Sequence, residues 1–300
     1  MQSPQELRQW IDEAKLYCDQ EPKKALQLLE RLKHHSLNTL EQADALYAEG
    51  VATYRLNEFQ KSEQLLLQAK RLYEEAGNRE GIAFALNSIG NVCLAVGRYA
   101  EASDLFHQSL AYWKETNNLS MTATLMSNLG NLCYNLSDYP QALAYHQEAL
   151  RIREKLGETR KVAVSLNNLG VVYADLAEYE LAKESFGNCL KLKETFASPS
   201  SIANTCINLA NALRNLGERD EAKRVYELAK LRYEADENEA GKGVALHGLG
   251  KVYGEENRLV EAKACLSEAI TIFERLGMKR ELMLALLVMG SIISKLEQVD

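Results

Sequence analysis

Proline and tryptophan are scarce in this chain, with four and two copies among 300 residues. So little proline, and no low-complexity stretch, excludes a string of domains on flexible linkers. No apolar run is long enough to span a bilayer, and no basic-then-apolar segment follows Met1. Neither a membrane span nor a signal segment is therefore expected. Basic charge is also in deficit, 35 Lys and Arg against 42 Asp and Glu for a net −7. That balance argues against nucleic acid and against anionic membrane surfaces as partners. The six cysteines, Cys18, Cys93, Cys133, Cys189, Cys206 and Cys265, form no C-x-x-C pair. Reduced thiols in a cytoplasmic protein are the expectation.

Chemistry-bearing motifs are missing as well. The five histidines, His34, His35, His107, His146 and His247, show no H-E-x-x-H spacing, so no metal site is expected. The glycines of GKGVALHGLGKVYG at 241–254 superficially suggest a phosphate loop but miss the G-x-x-x-x-G-K-[ST] spacing. No G-x-S-x-G elbow or kinase signature occurs. The acidic cluster of Glu234, Asp236, Glu237 and Glu239 falls at a helix end and reads as solvated. The expectation is a protein without catalytic residues or cofactor, and not an enzyme.

What is present is a forty-residue period. A small residue recurs at Gly50, Gly90, Gly130, Gly170, Ala210, Gly250 and Gly290, and a second at Ser62, Ala102, Ala142, Ala182, Ala222 and Ala262. Within 161–200, Leu166, Leu169, Gly170 and Tyr173 form an i, i+3, i+4, i+7 stripe on one helix. Ala182, Phe186, Cys189 and Leu190 keep the same helical period on the next. Glycine inside a helix costs ~1 kcal/mol against alanine, so its return at one position signals close packing of two helices. Gly97 and Gly217 are placed to end the first helix of their units with left-handed caps, and Gly77, Gly157 and Gly277 to end the second. Pro140 falls in a first helical turn, where its missing N–H does no harm.

The predicted organisation is all-α, a right-handed α-α superhelix of about seven helical hairpins plus a final single helix. Residues 1–38 form a degenerate N-terminal capping hairpin, opened by a capping box at Ser3 to Glu6 and turned at Pro22. Its apolar positions are Trp10, Ile11, Ala14 and Leu16, then Ala25, Leu26, Leu29 and Leu32. Residues 39–280 hold six units, 41–80, 81–120, 121–160, 161–200, 201–240 and 241–280, with Thr39 and Gln42 as a second capping box. The common unit of two antiparallel helices has ~34 residues, and the surplus here is assigned to longer helices, the second above all. Residues 281–300 supply one helix. Its stripe of Leu282, Leu286, Met289 and Ile293 predicts either a homodimer through 281–300 or a downstream domain covering it.

Asparagine is the signal beyond scaffold. Of nineteen, eleven fall in the first helices of four successive units: Asn87, Asn91, Asn128, Asn131, Asn135, Asn167, Asn168, Asn204, Asn208, Asn211 and Asn215. Three- and four-residue spacing puts most of them on one helix side. Asn167 and Asn168 are adjacent and diverge. By repeat position they belong to the inner face, opposite the Leu169 and Tyr173 core. Their amides could hold the main chain of an extended peptide, or form a hydrogen-bonded ladder between neighbouring first helices, and both can hold together.

The L-N-N-L-G-x-x-Y at 166–173, S-N-L-G-N at 127–131 and A-L-x-Y-x-x-x-A-L at 142–150 resemble the forty-residue subclass of tetratricopeptide repeats. That subclass occurs in spindle-orientation scaffolds of the Pins type, kinesin light chains and peptide-pheromone sensors of the Rap and PlcR kind. The resemblance covers residues 39–300. It implies a concave groove lined by first helices that holds another protein or peptide in extended conformation, often through asparagines, here the eleven named. Residues 1–38 show no basic recognition helix of the PlcR kind. Lys251 and Arg214 are the nearest basic candidates for a partner's terminal carboxylate, so an internal segment is the expected ligand. Three functions follow from the resemblance: an adaptor, the sensor half of a larger signalling protein, or an intracellular peptide receptor.

Overall fold

The structure is a computed structural model that describes residues 4–297, and among these there is no strand. The helices are α1 (Pro4–Tyr17), α2 (Pro22–Glu30), α3 (Thr39–Arg55), α4 (Phe59–Glu75), α5 (Arg79–Ala95), α6 (Tyr99–Glu115), α7 (Leu119–Asn135) and α8 (Tyr139–Lys155). They continue as α9 (Thr159–Asp175), α10 (Tyr179–Lys193), α11 (Pro199–Asn215), α12 (Arg219–Ala235), α13 (Glu239–Glu255), α14 (Leu259–Leu276) and α15 (Lys279–Glu297). A single 3-10 turn, Arg31–His34, follows α2. The chain divides after Ile152, within α8, into two compact units. Within each, consecutive helices pair as hairpins and stack on the next pair, the solenoid class expected.

The period has a simple construction. From α3 to α13 each helix has 17 residues, α10 with 15 excepted. Links of mostly three residues join them. The surplus over the common unit is thus shared equally by both helices, rather than carried by the second. In the short links the central residue is left-handed: Gly97 at φ 81° and Gly217 at φ 82°, as the cap pattern predicts, and also Asn57, Ser137 and Ala177 near 60°. One residue reversed in this way ends a helix and lets the chain re-enter antiparallel.

Capping differs from the sequence expectation in detail. The cap of α3 is Asn38, whose side chain accepts from the Glu41 N–H while Glu41 reaches back to the Asn38 N–H. Thr39 and Gln42 therefore do not form the box. Asn78, Asn118 and Asn238 cap α5, α7 and α13 with half of this arrangement, each side chain accepting from the N–H three residues on. The predicted cap at Ser3 lies outside the described residues. Pro22 is the first residue of α2 rather than part of the turn before it. Helix α2 has only 9 residues, so the first hairpin is indeed atypical. Ile11, Ala14, Ala25, Leu29 and Leu32 build its core, but Leu16 is exposed.

The recurrent small residues seat side chains of the following helix. A Cβ built at Gly90 would lie 2.6 Å from Phe106 Cε1, at Gly170 2.6 Å from Phe186 Cε1, and at Gly250 2.7 Å from Leu266 Cγ. The small position of the second helix is fully buried at Ala102, Ala142, Ala182, Ala222 and Ala262. At Ser62 the hydroxyl donates to the Gly50 carbonyl at 2.6 Å. The glycine run of α13 has the same cause. Gly241 meets Tyr233, Gly243 meets Phe273 and Gly248 meets Tyr226, so each glycine is a socket for a ring. In the first unit the largest core cluster centres on Ile89, Phe106, Trp113 and Leu129, and in the second on Phe186, Leu213, Tyr226 and Leu249.

Candidate peptide-binding face

In the first unit, α1, α3, α4, α5 and α7 wall a cavity of about 460 Å³. Tyr47, Val51, Tyr54, Leu66 and Phe84 form its apolar part, and Asn87, Ser88, Asn91, Thr124 and Asn128 bring polar groups. Lys15, Asp19 and Arg55 stand at the charged end, where Arg55 Nη2 pairs with Asp19 at 2.6 Å. Three rings set the apolar wall: Tyr47 and Phe84 lie 6.2 Å apart, and Phe84 sits edge-on to buried Trp113 at 4.8 Å. Burial pushes the Tyr47 phenol up to about 12, so it remains a neutral hydrogen-bonding group at any ordinary pH. This cavity can take a narrow chain with one or two apolar side chains, its main chain matched by amides.

The eleven asparagines divide by what they already hold. Asn128 Nδ2 donates to Asn87 Oδ1 at 2.8 Å, one rung of the ladder between neighbouring first helices. Asn135 Nδ2 donates to the Asn131 carbonyl at 2.9 Å. Asn204 and Asn211 accept the hydroxyls of Tyr233 and Tyr226 at 2.6 Å and 2.5 Å, which ties α11 to α12. Asn215 Oδ1 accepts from Arg214 at 3.2 Å, and Asn131 and Asn168 are also engaged within the protein. Only Asn87, Asn91 and Asn128 line the cavity.

In the second unit Arg214, His247 and Lys251 gather beside the Glu255 carboxylate. Arg214 Nη1 pairs with Glu255 at 2.6 Å, and Arg219 lies 3.8 Å from the same carboxylate. His247 and Lys251 sit close enough to feel Arg214's charge. Burial first, and then the Lys251 and Arg214 charges, push the His247 imidazole down to about 4. Burial and then Arg214 also lower Lys251. His247 Nε2 and Arg214 Nε are buried without a hydrogen-bond partner among the described residues.

Sequence reasoning singled out Lys251 and Arg214 but passed over His247, Tyr47, Tyr54 and Phe84. The forty-residue register carried a usable signal. His247 occupies the column of Asn87 and Asn167, and Phe84 that of Asn204. Elsewhere, Glu63, Cys93 and Glu101 bring three ligand-type atoms within 4.8 Å of one another. Arg98 pairs with both carboxylates, and burial raises the Cys93 thiol to about 11. A guanidinium thus already meets the charge of this cluster.

These features define a class, a stacked array of helical hairpins whose first helices present polar groups and a cavity. The chain belongs to the tetratricopeptide repeat family, whose model matches residues 41–115, 121–195 and 201–275. Among solved structures it is similar to a Rap protein complexed with Competence and Sporulation Factor. Identity there is 16%, the TM-score 0.71, and the match covers 99% of this chain and 89% of the other. It is similar to the quorum sensor NprR from B. thuringiensis in its apo form, at 14% identity and TM-score 0.66, covering 96% and 87%. BtubC (BKLC) from P. vanneervenii matches at 20% identity and TM-score 0.59, covering 77% and 92%. No curated protein matches the sequence significantly. No helix among the described residues is long and apolar enough to cross a membrane.

Proposed function

We propose that this chain is a non-enzymatic cytoplasmic scaffold that holds an extended, internal segment of another protein against its first helices. The cavity walled by α1, α3, α4, α5 and α7 carries the reading, because it joins aromatic side chains to the amides of Asn87, Asn91 and Asn128. An extended segment offers alternating N–H and C=O groups, and each asparagine amide can answer both. Its apolar side chains meet Tyr47, Tyr54 and Phe84. In the second unit, Lys251 favours a segment with an acidic residue, Arg214 being already paired with Glu255. Six free thiols suit a reducing compartment.

A second reading is the sensor half of a signalling protein, or a receptor for a short peptide. The likeness to the Rap complex and to a quorum sensor over nearly the whole chain favours it. Both readings use the same face and differ in the ligand.

Selecting displayed peptides against the chain, followed by affinity and melting on the same variants, tests the proposal. Asn91 lines the cavity and has no side-chain partner among the described residues. Replacing it by alanine is expected to weaken a selected peptide by ~0.5–1.5 kcal/mol, the worth of one lost hydrogen bond. Melting should stay level or rise, since alanine is the better helix former. Unchanged affinity with lowered melting would overturn the reading. Selection of only short peptides with free termini would favour the receptor.

A further inference from the structure

Helix α15 departs from the other first helices at two positions, and the departures complement each other. The residue seven before the small position is Ala43, Ala83, Ala123, Ala163, Ala203 or Gly243 in the preceding units, but Met283 in α15. At the small position itself, side chains of the next helix fill every earlier glycine socket. A Cβ built at Gly290 meets nothing within 4 Å. Between the two lie Leu286 and Leu287. Met283, Leu286 and Leu287 are 55%, 49% and 66% exposed, and with Gly290 they form one continuous apolar surface. The open surface coincides only in part with the stripe expected from sequence. Leu286 and Ile293 are exposed, but Met289 is buried with Leu259 and Leu266, and Leu282 packs beside Phe273.

A second helix of the kind found in the other units is a poor cover for this surface. It needs a small residue where Met283 stands, since the two backbones approach closely there. The apolar area also extends to Leu287, in a column that elsewhere holds Tyr47, Asn87, Ser127, Asn167, Ile207 and His247.

We propose that a second copy of this chain covers the surface, its α15 antiparallel to the first about a two-fold axis near residues 286 and 287. Met283 then faces the partner's Gly290, and Leu286 faces the partner's Leu287. The one oversized side chain enters the one unfilled socket, twice by symmetry. Residues 283, 286, 287 and 290 share one helix side, as such a seam requires. The antiparallel arrangement brings Lys279 and Arg280 at the start of α15 within reach of the partner's Glu297 at its end. Helix dipoles also oppose. A single-helix seam is smaller than the ~800 Å² per partner of a standard interface, so the dimer is weak and depends on concentration.

Sedimentation of the 300-residue chain from micromolar to near-millimolar concentration tests this, with circular dichroism to check folding. Reversible dimerisation is expected. Leu287→Glu should leave a monomer. Gly290→Met sets methionine against methionine and should weaken association about tenfold or more, a loss of roughly 1.4 kcal/mol. Combining Met283→Gly with Gly290→Met restores a large-to-small match and should recover the wild-type constant to within about threefold. If a helix-interior change unfolds the chain, charge reversal gives a second route. Glu297→Lys should weaken the dimer, and adding Lys279→Glu with Arg280→Glu should restore it. A wild-type chain that is monomeric throughout, a dimer that survives Leu287→Glu, or a folded swap variant that fails to recover would overturn the proposal.

Discussion

His247 is kept neutral by its surroundings. Burial, Lys251 and Arg214 hold its folded-state pKa at about 4, whereas the unfolded chain takes up that proton near ~6.5. Between these values the unfolded state binds more protons than the folded one. Stability is therefore unaffected above the unfolded value and is lost as pH falls through the window. His247→Gln should flatten that fall. The difference between the two proteins across the window is expected to be on the order of 1–2 kcal/mol, after discounting for the ring's partial exposure. Urea unfolding of both at neutral pH and near the lower limit measures it. Equal losses would mean that His247 titrates normally.

At the scale of the helix, one surface must serve two partners. The first helix of each unit gives one side to its hairpin mate and another to neighbouring first helices, and the candidate binding residues stand at the edge of the second. The Asn87–Asn128 pair belongs to α5 and α7, and Asn87 is buried. Its role is to join helices as well as to line the cavity. A double-mutant cycle with Asn87→Ala and Asn128→Ala should give a coupling energy of ~0.5–1.5 kcal/mol in chemical unfolding. Each single change strands a polar group and should lower stability. Strict additivity would remove this rung from the account of the solenoid. Asn204 and Asn211 serve the hairpin instead, through Tyr233 and Tyr226.

For the whole molecule, stacking makes stability a property passed between neighbours. A Cβ at position 170 would sit 2.6 Å from the Phe186 ring, so Gly170→Leu must part α9 from α10. Overpacking of this kind costs ~1–3 kcal/mol. Hydrogen exchange should then show lost protection in α9 and α10 and also in α11 and α12, whose cores they share. Protection of α3 and α4 should not change. A loss confined to α9 and α10 would mean that hairpins in this chain fold independently.

The period and the helix class were legible in the chain because both follow from local rules. A glycine returning every forty residues can only mean a repeated close contact, and Phe106, Phe186 and Leu266 prove to be what approaches. The left-handed caps at Gly97 and Gly217 were equally plain, since few other residues adopt that conformation at so little cost. The candidate site was legible only as a set of columns. Eleven asparagines were visible, yet spacing along a helix cannot tell an amide that bridges helices from one that stands open. Tyr226 and Tyr233 reach Asn211 and Asn204 across the hairpin, from positions 15 and 29 residues away. The exposed stripe of α15 was read correctly at Leu286 and Ile293 and wrongly at Leu282 and Met289 for the same reason. Met289 and Leu282 are apolar in sequence exactly as Leu287 and Met283 are, and only the packing of α14 against one side of the helix decides which pair is buried. Sequence by itself determined the repeat, its length and its sockets, because each returns at a fixed spacing that shows in the chain even though the side chain filling a socket comes from the next helix. Which amides are spoken for, where a cavity opens and which side of the last helix is bare depend on side chains brought together from different helices, and only the tertiary structure decided them.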